Sequence, residues 1–342
     1  MWYGATGLPL RRSKRTGAMW PPSSVTASST SPVRITQEGC EWMRRTGPAA
    51  AMLRANAGTE ADFRRSRRVT AIILLKLIMI MRVDENLLAG WKRRFDADGL
   101  LLIPALLPAS ELAAVEAELA SYTESIVPAL PPGDIVWESE ALSNGSRRIR
   151  NLWRMERYSR FFADLARSPG LLKLAGALVN GEPVLAAVEL FAKPAQVGSA
   201  VPYHQDNAYF NLTPPDSFTC WIALDASTGE NGCVYYCRGS HRAPPLPHIG
   251  SGVAGNSMMA AFAPERPDEV AGLLAPGDAM LHHCLTVHRS EPNRSLRPRR
   301  GLLLVYHGQH CRTDPEAARL YAAVREAQMT PPASGTAGSG RT

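Results

Sequence analysis

An imidazole and a carboxylate stand two positions apart in the stretch Tyr203-His204-Gln205-Asp206-Asn207. If this stretch is an extended strand, the side chains of His204 and Asp206 point to the same face, because successive side chains alternate. Two such side chains can occupy neighbouring coordination positions of a metal ion. A second histidine would complete the two-histidine, one-carboxylate arrangement that suits non-heme Fe(II). The triplet alone is a weak signal, since most His-x-Asp triplets bind no metal.

The second half of the candidate site lies in residues 277–306. His288 is the candidate third ligand, and Arg299 follows it just before the apolar run 302–305, which predicts a buried strand. A guanidinium at this position can form two parallel hydrogen bonds with a carboxylate. Ser290 can add a hydroxyl to the same anion.

Together these motifs resemble the phytanoyl-CoA dioxygenase family of Fe(II)- and 2-oxoglutarate-dependent oxygenases. The residues that carry the resemblance are, in order, His204-Gln205-Asp206, Trp221, Asn231-Gly232-Cys233, Gly239-Ser240-His241, His288, Ser290, Asn293, Ser295 and Arg299. The resemblance spans about residues 81–306, most of the chain. One position departs from the family pattern: Arg238 stands where a proline is usual, a difference that concerns the local turn rather than the metal site.

The resemblance implies an α+β chain with a mainly β core, built as a double-stranded β-helix of the jelly-roll or cupin-like type with flanking helices. It also implies that His204, Asp206 and His288 are the iron ligands. Arg299 would bind the distal carboxylate of 2-oxoglutarate, and Ser290 and Trp221 would line the same pocket.

Two further residues are candidates for contact with the cosubstrate. Gln205 lies between two proposed ligands and faces away from them, so it is a candidate for a hydrogen bond to a ligand or to the cosubstrate. Lys193, just before Pro194, is either a charge near the bound carboxylate or a solvated strand end, and the second interpretation is slightly preferred. Trp221 has the alternative of being ordinary core.

Neighbouring residues compete for two of these roles. His282 and His283 are adjacent, so at most one of them can point inward from a strand. Neither is followed by an arginine at the family distance, which favours His288. Arg297 and Arg300 are alternatives to the arginine that the family spacing selects.

By the same resemblance the chain would be an enzyme with Fe(II), 2-oxoglutarate and O₂ as cofactor and cosubstrates, hydroxylating a small molecule with release of succinate and CO₂. Asp206 favours hydroxylation, because related halogenases lack this carboxylate. Two alternatives stay open. The same iron site would catalyse desaturation, epimerisation or cyclisation, or the chain would be a catalytically silent ligand-binding module.

The charge of the chain is unevenly distributed. Residues 1–82 contain 14 Lys/Arg and 4 Asp/Glu, so 24 of the 38 basic and 27 of the 31 acidic residues lie in the remainder. The expected catalytic body is therefore slightly acidic, and the overall charge of +7 gives no indication of nucleic-acid binding by that body. The six cysteines form no zinc-type pattern and predict free thiols in a reducing compartment.

Three regions follow from composition. Residues 1–80 are rich in Arg, Ser, Pro and Gly, a composition that predicts a disordered extension, a targeting segment or a basic tail. We favour a further interpretation, in which translation starts near Met79 or Met81 and the residues before it are not translated. Residues 81–328 predict the dioxygenase domain, and 329–342 a flexible tail. The apolar run 69–81 is too short to span a bilayer. We expect a cytoplasmic location, with organelle targeting by the basic N-terminal segment as an alternative.

Periodicity predicts helices before the core and short strands within it. Helices are expected at 84–97, at 111–122 with Ser110 as N-cap, at 161–165, 171–179 and 315–326, and strands at 100–103, 184–193, 217–224, 233–237, 258–262, 279–283 and 301–307. Residues 126–148 are expected to form a Pro/Gly-rich loop. Many short strands separated by turns favour a barrel or sandwich over a parallel sheet.

Overall fold

The computed structural model of the chain describes residues 85–141, 147–265 and 268–329, all within one compact unit. The predicted extension 1–80 and residues 330–342 of the predicted tail lie outside the described residues. The helices are α1 Glu85–Asp98, α2 Ala109–Ser125, α3 Arg160–Ala166, α4 Pro169–Leu178, α5 Asn207–Phe210 and α6 Pro315–Met329.

The strands pair into antiparallel sheets. They are β1 Leu100–Ile103, β2 Ile135–Ala141, β3 Arg147–Leu152, β4 Pro183–Lys193, β5 Val201–His204, β6 Leu212–Thr213, β7 Ser217–Ala223, β8 Val234–Cys237, β9 His248–Val253, β10 Asn256–Ala260, β11 Glu269–Ala271, β12 Ala279–His283, β13 His288–Ser290, β14 Arg299–Gly308 and β15 Arg312–Thr313. A seven-stranded major sheet has the order β1-β12-β7-β14-β4-β3-β2, and a four-stranded minor sheet has the order β11-β8-β13-β5. Two-stranded sheets β9-β10 and β6-β15 complete the described pairings.

The two faces of the major sheet have different neighbours. On β7, Phe218, Cys220 and Ile222 join the large apolar cluster that also contains side chains of α1, α2, α3 and α4. The alternate residues Trp221 and Ala223 join a smaller cluster with Tyr236 of the minor sheet. One face is therefore covered by helices and the other packs against the minor sheet, as period-two alternation requires. The predicted double-stranded β-helix with flanking helices is confirmed.

The helices bury the apolar stripes that the sequence predicts. In α1, Leu88 and Phe95 are buried, and the Phe95 ring packs edge-on against Phe218, with 6.0 Å between centroids. In α2, Val115 and Leu119 are buried at helical spacing. Burying each such side chain contributes roughly 1.5–3 kcal/mol, so α1 and α2 hold the outer face of the sheet.

Several predicted details of the fold are wrong. Ser110 is not an N-cap, because α2 begins at Ala109 with Pro108 in the capping position and no side-chain cap bond. The expected loop 126–148 contains β2 and the start of β3, and these two paired strands extend the edge of the major sheet beyond β4. The last helix runs to Met329, the first residue assigned to the tail.

Two further sequence expectations concern membrane-spanning segments and the state of the cysteines. In the part that the structure describes, no helix combines the length and hydrophobicity needed to cross a bilayer. The five described cysteines are free and buried.

Candidate metal centre

Three ligand atoms from His204, Asp206 and His288 lie within 4.8 Å of one another. The Nε2 atoms of His204 and His288 are 3.7 and 3.5 Å from Oδ1 of Asp206. Both imidazoles are buried, with 5% and 7% exposure. The structure thus brings together the three side chains that the sequence proposed as ligands, from segments more than eighty residues apart.

The minor sheet positions the two histidines. His204 ends β5 and is the register partner of His288 on β13, and the two ring centroids are 4.1 Å apart. Asp206 is not in the strand: its backbone is helical, with φ −59° and ψ −30°, at the start of α5. The expectation that strand alternation aligns His204 with Asp206 is therefore wrong. A turn brings the carboxylate back toward the imidazole.

Backbone hydrogen bonds fix the tautomer of both histidines. Nδ1 of His204 lies 2.9 Å from the carbonyl of Pro202, and Nδ1 of His288 lies 2.9 Å from the carbonyl of Thr286. Because a carbonyl can only accept, each Nδ1 carries the proton and each Nε2 keeps its lone pair. Both lone pairs are directed to the side of Asp206, which is the arrangement that metal ligands need.

The second oxygen of Asp206 is held by the major sheet. Oδ2 accepts hydrogen bonds from Thr219 Oγ1 at 2.7 Å and from His282 Nε2 at 3.0 Å. Oδ1 is left facing the two histidines. Sequence reasoning missed Thr219 and assigned no role to His282. Alternation along β7 gave a signal for Thr219, since it lies two residues before Trp221 and shares its face.

Protonation of the three side chains suits a cation. Burial alone would raise the pKa of Asp206, but the adjacent His288 and His282 lower it well below its usual value. Burial lowers the pKa of His204, and burial together with the neighbouring His204 lowers that of His288. At neutral pH the site therefore presents one carboxylate and two neutral imidazoles.

We expect Thr219→Val to weaken metal binding about tenfold, because outer partners of metal ligands typically contribute 10–100-fold. Valine keeps the shape and removes the hydroxyl that orients Asp206. Calorimetric titration with Fe(II) or Mn(II) measures the change, and Thr123→Val, which removes a hydroxyl from α2, is the matched control. Equal metal affinity in both variants would show that the Thr219 bond does not position the carboxylate.

A pair of buried cations lies across two strands beside this centre. Arg299 of β14 and Lys193 of β4 are register partners, with 3% and 4% exposure. Arg299 donates from Nε and Nη2 to the carbonyl of Gly232 at 3.1 and 2.9 Å, and its guanidinium lies 5.0 Å from the Trp221 ring centroid. No acidic side chain is paired with Arg299 among the described residues. Like charges directly opposite each other repel, so this pair favours an anion.

The structure corrects the preferred interpretation of Lys193. The residue is not a solvated strand end: its ammonium donates to the carbonyls of Ser199, at 2.9 Å, and Glu291. Burial and the nearby Arg299 lower the pKa of Lys193 to about 6, and burial lowers that of Arg299 to about 10. At neutral pH the guanidinium therefore keeps its charge, whereas the amine of Lys193 is mostly neutral until an anion binds beside it.

The remaining candidates divide into two groups. Trp221 and Ser290 line the same cavity as the triad, with 4% and 5% exposure. Gln205 lies outside the cavity lining. Its amide donates to the carbonyl of Leu285 at 2.7 Å and accepts from the Leu246 amide at 2.8 Å. These bonds fix the segment between the two proposed ligands, so its amide is engaged by the backbone rather than directed to a cosubstrate.

The rival residues are occupied elsewhere. Arg300 points to the helix side, where it binds Asp225 at 2.7 Å and Glu116 at 2.9 Å. Arg297 is exposed. His283 faces away from the triad and packs against Phe95. The turn after Arg238 forms without the family proline, with Gly239 at φ +71°.

A cavity of about 690 Å³ opens from the triad. Lys193, Arg299 and the three proposed metal ligands line this cavity. The other aromatic and charged side chains of its wall are Trp153, Phe191, Tyr209, Phe210, Tyr236, Tyr321, Arg150, Arg154, Glu189, Arg289 and Arg325. This volume is in the range of small-molecule sites, so the centre is accessible to a ligand of that size.

Comparison with known families identifies the chain. Residues 95–301 match the family profile described as Phytanoyl-CoA dioxygenase (PhyH). The match covers more than half of the chain and includes the triad and Arg299. The chain belongs to the phytanoyl-CoA dioxygenase family. The predicted family is confirmed, and with it the class of enzyme, a 2-oxoglutarate-dependent non-heme iron dioxygenase.

Relatives in this family act on different molecules. The chain is 25% identical over 244 residues to peroxisomal phytanoyl-CoA dioxygenase of Rattus norvegicus, covering 67% of this chain and 71% of that protein. It is 27% identical over 248 residues to L-proline trans-4-hydroxylase of Streptomyces griseoviridis, covering 66% and 88%. The epimerase SnoN, solved with Fe³⁺, alpha-ketoglutarate and nogalamycin RO, shares the fold with a TM-score of 0.56 and 22% identity, covering 74% of this chain and 93% of that one.

Proposed function

We propose that this member of the phytanoyl-CoA dioxygenase family uses Fe(II), 2-oxoglutarate and O₂ to hydroxylate an unactivated C–H bond of a small molecule. The balanced reaction converts R–H, O₂ and 2-oxoglutarate into R–OH, succinate and CO₂. The observation that carries the proposal is the pair of free Nε2 lone pairs facing Oδ1 of Asp206.

The donor set fits ferrous iron. Two neutral imidazoles and one carboxylate on one side form the facial arrangement of non-heme Fe(II) oxygenases. His204, Asp206 and His288 would hold the ion, and Thr219 and His282 would keep the carboxylate in place. When bound, the ion supplies the oxidising chemistry that couples decarboxylation of 2-oxoglutarate to oxidation of a C–H bond.

The chain's own residues bind and orient the cosubstrate. Arg299 has five N–H donors and uses two at Gly232, so it has donors left for the distal carboxylate. Lys193 and Ser290 also line this cavity. Lys193 would add a positive charge once a bound anion raises its pKa, and Ser290 would add a hydroxyl. The Trp221 ring packs against Gly301, where an added Cβ would meet the ring at 2.2 Å. This close packing holds the aromatic wall and excludes water.

The test is 2-oxoglutarate turnover by the purified chain with Fe(II). We expect succinate to form in proportion to O₂ consumed when candidate small molecules are screened, and the accepted molecule to gain one oxygen atom. A product that loses two hydrogens, or keeps its mass, would replace hydroxylation with desaturation or epimerisation at the same centre. Absence of any 2-oxoglutarate-dependent O₂ use by metal-loaded protein would favour a ligand-binding module.

The remaining expectations are part of the same proposal. We propose residues 81–328 as the catalytic domain, since the helices and strands from Glu85 onward build both sheets and their covering layer. We also propose a cytoplasmic location, for which the free thiols of the described cysteines give support. Nucleic acid is not proposed as a partner of this domain.

A further inference from the structure

Three arginines of the cavity wall form ion pairs with acidic side chains that do not line the cavity. Arg150 contacts Glu138 at 3.2 Å, and Arg289 contacts Glu269 at 2.7 Å. Arg154 forms an ion pair with Asp134. These cations need no ligand to compensate their charge. An unpaired charged group in this cavity therefore marks a place where a bound molecule completes the site.

Glu189 is such a group. Its side chain lines the cavity from β4 and shares a strand face with Phe191 and Lys193. Within the described part of the chain, no hydrogen bond or ion pair involves its carboxyl group. The cavity residues Leu303 and Val305 from the neighbouring strand β14 are apolar, and Leu303 is the register partner of Glu189. The carboxyl group thus stands against an apolar wall.

The local environment of Glu189 disfavours the ionised form of its carboxyl group. Burial, together with the negative charges of Asp206 and Glu156 and against the smaller effect of Arg154, raises the pKa of Glu189 to about 8, so this carboxyl group is mostly protonated at pH 7 when no ligand is bound. The ionised form of this half-buried side chain is unfavourable without a partner, whereas a cationic ligand would lower the pKa of Glu189 and stabilise its carboxylate. A structural carboxyl group would have such a partner in the protein itself.

Glu189 lies on β4 away from Lys193 of the same strand and from Arg299, the register partner of Lys193 on β14. Lys193 and its partner Arg299 suit a dianion, whereas Glu189, four residues earlier and so about 13 Å away along the strand, offers a carboxyl group and no positive charge. Glu189 lines the same cavity as His204, Asp206 and His288. It therefore belongs to the part of the cavity that is open to the molecule to be oxidised.

We propose that Glu189 determines substrate specificity by receiving a protonated amino group, so that the substrate is an amine-bearing small molecule. The inference rests on the proposed function, because it assigns a substrate class to the same centre. Charge-assisted hydrogen bonds are roughly twice as strong as neutral ones. An ammonium group therefore gains more at Glu189 than a hydroxyl group of the same size.

The test compares three probes of similar shape on protein loaded with Zn(II) and 2-oxoglutarate. These are 2-phenylethylamine, 2-phenylethanol and 3-phenylpropanoate, whose rings suit the wall formed by Trp153 and Phe191. Ligand-observed NMR titration gives the dissociation constants. We expect the wild type to bind the amine at least about tenfold more tightly than the alcohol, and more tightly still than the acid.

Three variants separate a specificity role from a structural one. Glu189→Gln is expected to reduce the preference for the amine to within about twofold of the alcohol. Glu189→Lys is expected to reverse the order and favour the acid, which loss of packing would not produce. Glu182→Gln makes the same change at an exposed site one residue before β4 and is expected to keep the wild-type preference.

The proposal is overturned if wild type binds 2-phenylethylamine no more tightly than 2-phenylethanol, or does not bind the amine at all. It is also overturned by a Glu189→Gln variant that keeps the preference while still binding 2-oxoglutarate. Calorimetric titration of Zn(II)-loaded wild type with 2-oxoglutarate reports separately on the proposed function. If wild type does not bind 2-oxoglutarate, the oxygenase assignment is refuted. If wild type binds 2-oxoglutarate but does not prefer the amine, only the proposed role of Glu189 is refuted.

Discussion

Asp206→Ala is expected to abolish 2-oxoglutarate turnover and to lower metal affinity by more than about a hundredfold, because outer partners of ligands alone contribute 10–100-fold. The substitution removes the negative charge that faces His204 and His288 and leaves the Thr219 hydroxyl and the His282 imidazole without their acceptor. Succinate formation and calorimetric titration with Fe(II) or Mn(II) measure the two effects.

His204→Ala is expected to give the same loss, since it removes one of two free imidazole lone pairs. Asp268→Ala is the matched control for the carboxylate, because this side chain is 72% exposed and pairs only loosely with Arg238, at 3.6 Å. Turnover at the wild-type rate in both Asp206→Ala and His204→Ala would refute the ligand assignment. Retention of fold in each variant is checked by thermal unfolding.

Arg299→Ala is expected chiefly to raise the 2-oxoglutarate concentration needed for half-maximal turnover. Truncating one partner of a buried charge pair costs about 2–5 kcal/mol, which corresponds to a change of about thirtyfold or more. Metal affinity should change little, because Arg299 makes no contact with the three proposed ligands. Initial rates of succinate formation at varied 2-oxoglutarate give the change.

Arg297→Ala is the matched control, since this arginine lies two residues earlier and is exposed. Its 2-oxoglutarate requirement should equal that of the wild type. Arg299→Lys tests geometry as well as charge, because lysine lacks the planar pair of donors. If Arg299→Ala left the 2-oxoglutarate requirement unchanged and Arg297→Ala raised it, Arg297 rather than Arg299 would be the residue that binds the distal carboxylate.

The central part of the site could be predicted from sequence because its signals are local. His204 and Asp206 are two residues apart, and the spacing from His288 to Ser290 and Arg299 places these three in one short segment. The family pattern then connects the two segments without knowledge of the fold. The apolar run after Arg299 also gave β14, because a buried strand needs side chains that are apolar on both faces.

The parts that sequence reasoning missed depend on pairing between distant strands. Thr219 of β7 and His282 of β12 are register partners, although about sixty residues separate them in the chain. Only the pairing of the two strands brings them together. The hairpin β2–β3 was taken for a loop because the segment 126–148 is rich in Pro and Gly, and its strands also carry charged residues such as Glu138 and Arg150. The charge pattern of a strand does not reveal which surface it will face.

By itself, the sequence determined which chemical groups are available: two imidazoles, a carboxylate and an arginine, in the order that the family uses. The tertiary structure decided which of the remaining polar groups meet them. It placed His282 and Thr219 on the second oxygen of Asp206, buried Lys193 beside Arg299, and left Glu189 without a hydrogen-bond or ion-pair partner among the described residues. The physical reason is that covalent spacing fixes residue type and local geometry, whereas sheet register and packing between layers fix burial and charge contacts.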